Sequence, residues 1–300
     1  MNRKIAFFYR IDKWGTVERF VTEARAVELE VVPIRYRQLQ LRQQERGWDI
    51  DFAGRPLRNF DLFYFRAVGS ELEWSKLLTL YAARHKIPVV DQYLADEGVL
   101  RRTKAVSGIF LAEGGVSYPR TTFIERIEDL KHELAANWQY PVVVKLSQGG
   151  RHGISTFWLR GEPDLIEFEE KSKDEEGKPK RGFLIQEYIP NDGDYRLFVV
   201  GYKVLGGFKR APKEEKVVMN KSLGQSVALM EIPGDVVAEA EKAAQALGVE
   251  VAGIDLVTHK DTGKPYVIEV NEAPQYKVFE KRTGKNAVRA ILEYLKQKSK

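Results

Sequence analysis

Cysteine is absent from the 300-residue chain, which rules out disulfides, thiolate metal sites and cysteine nucleophiles. Long apolar runs are absent too. None approaches the roughly 20 residues needed to cross a bilayer, so no membrane association is expected. The opening MNRKIAFFYRIDKW holds only the short run IAFFY and no small-residue cleavage site, which reads against a secretory signal. The cytoplasm is the expected location. No GxGxxG follows the first strand and no GK[ST] follows a glycine loop, so the dinucleotide fingerprint and the Walker A loop are both missing. Histidine is sparse: His85, His132, His152 and His259 are scattered, and none belongs to a Ser-His-Asp pattern. Neither an internal repeat nor a low-complexity segment is present.

What remains is the composition of a soluble globular protein, 43% hydrophobic and 30% charged, long enough for two or three layered domains. The formal charge is +5, but basic residues alternate with acidic ones and no basic block forms. Such a surface suits nucleotide phosphates and acidic acceptors as readily as nucleic acid, and the interleaving reads against a nucleic-acid interface. Oligomeric state is left open.

Along the chain, KIAFFY (4–9) reads as a strand. Apolar residues at Val17, Phe20, Val21, Ala24 and Val27 predict a helix over 17–29. Residues 30–36 return to strand, with Pro33 marking an edge. A small hairpin at 48–60, a strand at 61–67, a helix at 74–85 and the strand IPVVD complete a βαβ-like unit. Lys104 opens a helix that Gly114-Gly115 ends. TTFIE, a helix at 126–136, and PVVVKL running through SQGGRHG into a second strand come next. A helix at 163–170 leads into the charged loop 171–182. The strands FLIQEYI, DYRLFVVG and YKVLGGFKR follow, with Arg196 and Arg210 on one sheet face. A helix at 238–248 precedes a final hairpin, and an amphipathic helix carries Ala287, Val288, Ile291, Leu292 and Leu295.

Two stretches carry chemistry. In GIDLVTHKDTGKPYVIEVNEAP (253–274), a turn symmetric about Thr262 sets Asp255 opposite Glu269, with Asn271 on the same face and Ile268 and Val270 pointing into a core. Three oxygen-bearing side chains backed by an apolar face suit a hard cation such as Mg²⁺; an ordinary polar-faced hairpin has the same pattern. In VKLSQGGRHG, Lys145 stands at the mouth of a loop whose glycines Gly149, Gly150 and Gly153 let backbone N–H groups approach phosphate. A flexible hairpin tip reads the same way.

Joined in order, RRTK, LAEGGVSYPRT, PVVVKLSQGGRHGIST, IQEYI, DYRLFVVG, FKR, AGIDLV, VIEVNEAP and EKRTG resemble the ATP-grasp superfamily, in its RimK-like branch of carboxylate–amine ligases, over about residues 95–285. The resemblance implies an α+β ATP-grasp fold with an N-terminal α/β pre-ATP-grasp domain (1–95), a central subdomain (96–182) and a C-terminal subdomain with the metal site (183–300). It implies ATP and Mg²⁺, with Mn²⁺ as a substitute. Lys104 and Lys145 would bind phosphate under the glycine loop. Gln186, Glu187, Tyr188 and Ile189 would line adenine, and Asp194 and Asn220 would belong to the nucleotide site. Asp255, Glu269 and Asn271 would hold Mg²⁺, and Arg196 and Arg210 would clamp the carboxylate and its acyl phosphate. Lys209 is expected to be solvated.

Val217, Val218 and Met219 stand where the family favours a basic residue before Asn220, NKSLGQSV lacks paired glycines and an arginine, and APQYKVFEKRTG is bulkier than usual. These departures border the acceptor site and point to a different acceptor. The implied reaction joins a carboxylate acceptor (peptide, protein or small molecule) to an amino-acid amine such as that of glutamate. The alternatives are a peptide macrocyclase of the same superfamily and a non-catalytic nucleic-acid-binding protein.

Overall fold

Apolar strands alternating with helices build layered sheets, and a computed structural model shows three four-stranded sheets and a small three-stranded one. It describes residues 2–12, 15–45, 47–95, 103–147, 156–173, 176–177, 180–211 and 231–299. The chain begins β1 (Arg3–Tyr9), α1 (Thr16–Ala24), β2 (Leu29–Arg35), then β3 (Leu39–Gln44), β4 (Gly47–Phe52), β5 (Arg55–Pro56), β6 (Leu62–Phe65), α2 (Leu72–His85) and β7 (Val89–Val90). The first sheet runs β2-β1-β6-β7, all parallel, and the small one is β3-β4-β5. Pro33 lies on its edge strand β2, where a missing N–H costs no ladder bond. Two details differ from expectation. Helix α1 ends at Ala24 and continues as a 3-10 turn at Arg25–Val27. The polar run Leu39–Gln44 pairs with β4, having too little apolar alternation to announce itself as a strand.

The second sheet follows α3 (Lys104–Glu113). It comprises β8 (Thr121–Ile124), α4 (Ile127–Asn137), β9 (Val142–Leu146), β10 (Thr156–Leu159), α5 (Glu162–Lys171) and β11 (Phe183–Glu187), in the antiparallel order β10-β9-β11-β8. Val142, Val144, Phe183 and Ile185 face α4 and α5, forming a separate core with Leu130, Leu165 and Phe168. The alternate residues Val143, Lys145 and Gln186 face the other way.

The third sheet is β13-β12-β14-β15, from β12 (Asp194–Val200), β13 (Lys203–Arg210), α6 (Gly234–Leu247), β14 (Val251–Thr258) and β15 (Pro265–Asn271), followed by α7 (Tyr276–Thr283) and α8 (Ala287–Lys298). Leu197, Val199, Ile254 and Leu256 pack on the Ala240/Ala243/Ala244 stripe of α6. The opposite face meets α7 and α8 through Phe198 and Val251. All five apolar residues foreseen on the last helix are fully buried, and they share one core with Ile5, Phe7, Phe20 and Leu62 of the leading unit.

Carboxylates tie the first sheet to the third. Asp91 Oδ1 accepts from Glu250 N at 2.7 Å and Val251 N at 2.8 Å. Glu250 returns the contact, taking Gln92 N at 2.8 Å and Tyr294 Oη at 2.6 Å, and pairing with Lys298. Burial, with Glu250 and Glu272 nearby, raises the Asp91 pKa well above the ordinary carboxylate range. No helix among the described residues is long and apolar enough to cross a membrane.

Candidate active site

Strand register in the third sheet brings six of the sixteen foreseen residues together. Arg196, Asp255 and Glu269 lie side by side across β12, β14 and β15; one step away Asp194 faces Arg210, and Gly253 faces Asn271. Arg196 Nη1 donates to Asp255 Oδ2 at 2.7 Å. Arg210 donates from Nη2 to Asp255 Oδ1 at 2.9 Å and from Nε to Asp194 Oδ2 at 2.7 Å. Asp194, Arg210 and Asp255 are all buried, and charges so placed persist only when each meets its opposite. Arg282 from α7 stands nearby over the Phe208 ring, its pKa lowered by burial and by Arg210.

Two glycines make this packing feasible. A Cβ on Gly253 would stand 2.7 Å from Arg196 Nη2 and 3.0 Å from Pro274 Cβ. Gly193, at φ +126°, would place a Cβ 2.2 Å from the Arg210 carbonyl oxygen. The Gly253→Ala variant should therefore displace the Arg196 guanidinium, destabilise the protein by about 1–3 kcal/mol, and depress turnover far more than a core Ala change would. Denaturant midpoint and ADP release measured on the same preparation check this.

Asp255 does face Glu269, but not through a hairpin symmetric about Thr262. Nearer the turn the pairs are Thr258–Pro265, Val257–Tyr266 and Leu256–Val267, and a β-bulge between Asp255 and Leu256 takes up one residue before Asp255–Glu269. That extra residue is Ile268. In consequence Val267, not Ile268, enters the core, while Ile268 lines the cleft and its carbonyl accepts from Lys145 Nζ at 3.2 Å. Bulges free a backbone group from the ladder in this way.

Lys145 is buried between the second and third sheets, and its pKa falls to about 8. Burial is the main cause; Lys104 adds to the lowering, while Glu269 and Asp255 oppose it. Lys104, in the first turn of α3, donates from Nζ to the Leu146 carbonyl at 3.2 Å. Between the sheets lies a slot lined by Val143, Lys145, Trp158, Gln186, Glu187, Tyr188, Ile189 and Ile268. Gln186 is fixed by Nε2 donating to Thr121 Oγ1 at 2.8 Å, and Trp158 stacks on Tyr188 with ring centres 5.2 Å apart. The slot is aromatic on one side and apolar but for a few polar tips, as small-molecule sites are. Trp158 was legible only as an aromatic two residues beyond Thr156, on the face of Lys145. Lys209, expected in solvent, is half-buried and paired with Asp192 at 2.8 Å. Gly149, Gly150, Gly153 and Asn220 lie outside the described residues.

The oxygen set fits a hard cation. Among the described residues Glu269 and Asn271 make no side-chain hydrogen bond or ion pair. The two arginines on Asp255 use two of the roughly four lone-pair directions of its carboxylate. No group of three or more His, Cys, Asp or Glu able to hold a metal occurs among the described residues. Two carboxylates and an amide instead match a Mg²⁺ that draws its other ligands from water and phosphate.

An aromatic-walled slot, the buried Lys145 with Lys104 beside it, and an arginine–carboxylate network between two antiparallel sheets are the features of an ATP-grasp enzyme, an ATP-dependent ligase that forms C–N bonds. The model of the RimK-like ATP-grasp domain matches residues 101–295, and the chain belongs to that family. It is 28% identical over 304 residues to a probable alpha-L-glutamate ligase 1 of Pseudoalteromonas atlantica, covering 98% of this chain and 95% of that protein. A probable alpha-L-glutamate ligase of Methanococcoides burtonii is also 28% identical, over 99% of this chain and 96% of its own length. Among solved structures, the ATP-grasp ligase PsnB complexed with a phosphomimetic variant of minimal precursor, Mg and ADP superposes with a TM-score of 0.74 at 18% identity, each chain covered in full. The fold is thus shared along the whole chain.

Proposed function

We propose that this carboxylate–amine ligase couples an amino acid, glutamate in the simplest case, to a carboxylate of a peptide, protein or small molecule. The observation that carries the reading is the row Arg196–Asp255–Arg210 set beside Glu269 and Lys145: anion-binding and cation-binding groups meet where a triphosphate leaving the slot would end. In this reading the adenine lies against Gln186 to Ile189 and Trp158, and Lys104 and Lys145 draw charge from the phosphates as they react. The acceptor carboxylate attacks the γ-phosphorus, the bond to the β-phosphate oxygen breaks, and ADP leaves an acyl phosphate. Arg196 and Arg210 hold that anion in line by forked hydrogen bonds. An amine then attacks the acyl carbon and loses a proton, and phosphate departs as the amide forms. A Mg²⁺ held by Asp255, Glu269 and Asn271 would neutralise charge on the β- and γ-phosphates. The division 1–95, 96–182 and 183–300 is the domain plan that accompanies this reading, with Asn220 and the glycine loop assigned to the nucleotide.

ADP release measured with ATP and Mg²⁺ over a panel of amino acids and acidic peptides tests it. A particular acceptor and amine together should raise the rate at least tenfold over either alone, with an amide-linked product by mass spectrometry. A peptide that loses water without gaining an amino acid would point to a macrocyclase instead. Silence across the panel, with salt-sensitive RNA binding, would sink the ligase reading.

A further inference from the structure

We infer that the carboxyl edge of the leading parallel sheet is a second anion site, which holds carboxylates of the acceptor other than the one that reacts. The sheet order β2-β1-β6-β7 means that the chain leaves β1 to one side to form β2 and later returns on the other side to form β6. Connections therefore diverge outside the carboxyl ends of β1 and β6, and open parallel sheets bind ligands in the crevice this leaves. An arginine stands at each of the three strand ends there. Arg35 closes β2, Arg10 follows Tyr9 of β1, and Arg66 follows Phe65 of β6. Register sets Tyr9 beside Arg35 and Phe8 beside Phe65, so the three lie in one row about 10 Å wide at ordinary strand spacing.

All three are half-buried, yet among the described residues none is paired with a carboxylate. Arg35 Nε donates to Tyr9 Oη at 3.1 Å and lies over that ring. Arg10 lies along Gly69, its Nε 3.1 Å from where a Cβ would stand. Arg66 Nη2 donates to the Pro274 carbonyl at 2.8 Å with its guanidinium 4.3 Å from the Tyr276 ring centre. Asp12, the acid of the loop after β1, is already committed to the N–H groups of Thr16 and Val17 at the start of α1. Three like charges in one crevice repel one another until anions arrive, and guanidinium forks match carboxylates.

The crevice also leads to the reaction centre. Pro274, which Arg66 holds, abuts Gly253, and Gly253 abuts Arg196. A single carboxylate engages one guanidinium fork, so a row of three calls for a ligand with several acidic groups, such as a run of glutamates ending near Arg196. The ligand's role as acceptor rests on the ligase reading; the existence of the site does not.

The experiment is calorimetric titration of N-acetyl-triglutamate and of N-acetylglycine, each in the presence of ADP and Mg²⁺, into the wild type, an Arg10→Gln/Arg35→Gln variant and its Lys/Lys counterpart. We expect the triglutamate to bind the wild type and to bind the Gln variant about 100-fold more weakly, roughly tenfold per arginine. The Lys form should be intermediate, N-acetylglycine indifferent to either change, and melting temperatures similar. Triglutamate that binds the Gln variant as well as the wild type, or fails to bind the wild type, overturns the site. ADP release separates the two ideas: arginine-dependent binding with no turnover for any amine upholds the site and removes the ligase reading. Acceptor-stimulated turnover unchanged in the Gln variant does the reverse.

Discussion

Replacing Glu269 by Gln should lower ADP release with ATP and Mg²⁺ by at least about 10³-fold while leaving the fold intact. A loss of that size corresponds to about 4 kcal/mol of transition-state stabilisation. Glutamine keeps the volume and one oxygen, so what it deletes is charge. Glu269 lies beside Asp255 on the ladder, and among the described residues nothing pairs with its carboxylate, so its removal orphans no partner and stability should stay within about 1 kcal/mol. A second consequence makes the test sharper. The Glu269 charge holds the Lys145 pKa up against burial; in the Gln variant that pKa falls below about 8, and any residual activity should decline at a lower pH than in the wild type. Undiminished ADP release, or a pH profile that does not move, would remove Glu269 from the phosphate site.

Legibility in the sequence followed the physical strength of each signal. The βαβ beginning and the α8 stripe announced themselves because each buries a periodic apolar face, and burial is what the period reports; the helix from Lys104 was legible by its spacing and its closing glycines although it buries only Leu111 and exposes Ile109. Asp255 opposite Glu269 was legible through strand alternation, although the bulge at Ile268 was not. Counting residues about a turn cannot reveal one extra residue, and two errors cancelled: a turn centred half a residue early and a bulge that restored the register. The cost of the cancellation fell on Ile268, expected in the core and found lining the slot. Helix α7 escaped notice because YKVFEKRT is mostly polar and buries only Tyr276 and Phe279. The arginine row at the sheet edge is invisible in the sequence for another reason. Arg10, Arg35 and Arg66 are separated by 25 and 31 residues and meet only through parallel topology, which no local window contains.

Replacing Lys145 by Met should do two things that ordinary core substitutions do not combine: stabilise the protein without nucleotide, and depress turnover. A lysine whose pKa drops from 10.5 to about 8 keeps its charge in the folded state at neutral pH at a cost of about 3 kcal/mol. Between pH 8 and 10.5 the unfolded chain still binds the proton that the folded chain has released, so wild-type stability should rise with pH across that window and level off above it. Methionine retains the stem without the charge. It also leaves the Ile268 carbonyl without its donor, which offsets about 1 kcal/mol, for a net gain of about 2 kcal/mol at pH 7 that closes near pH 10 and turns into a loss of up to about 1 kcal/mol above it. Thermal melts of wild type and variant at pH 7, 9 and 10.5 measure the gap and its closing. Catalysis should move the other way, since in the proposed reading the charge that burdens the empty protein is the one that meets the phosphates: a loss of at least about 10²-fold is expected. In the wild type, turnover at low ATP should fall as pH rises through about 8. A Met variant that melts lower than the wild type at pH 7, or that turns over ATP normally, would show that Lys145 is held for packing rather than for its charge.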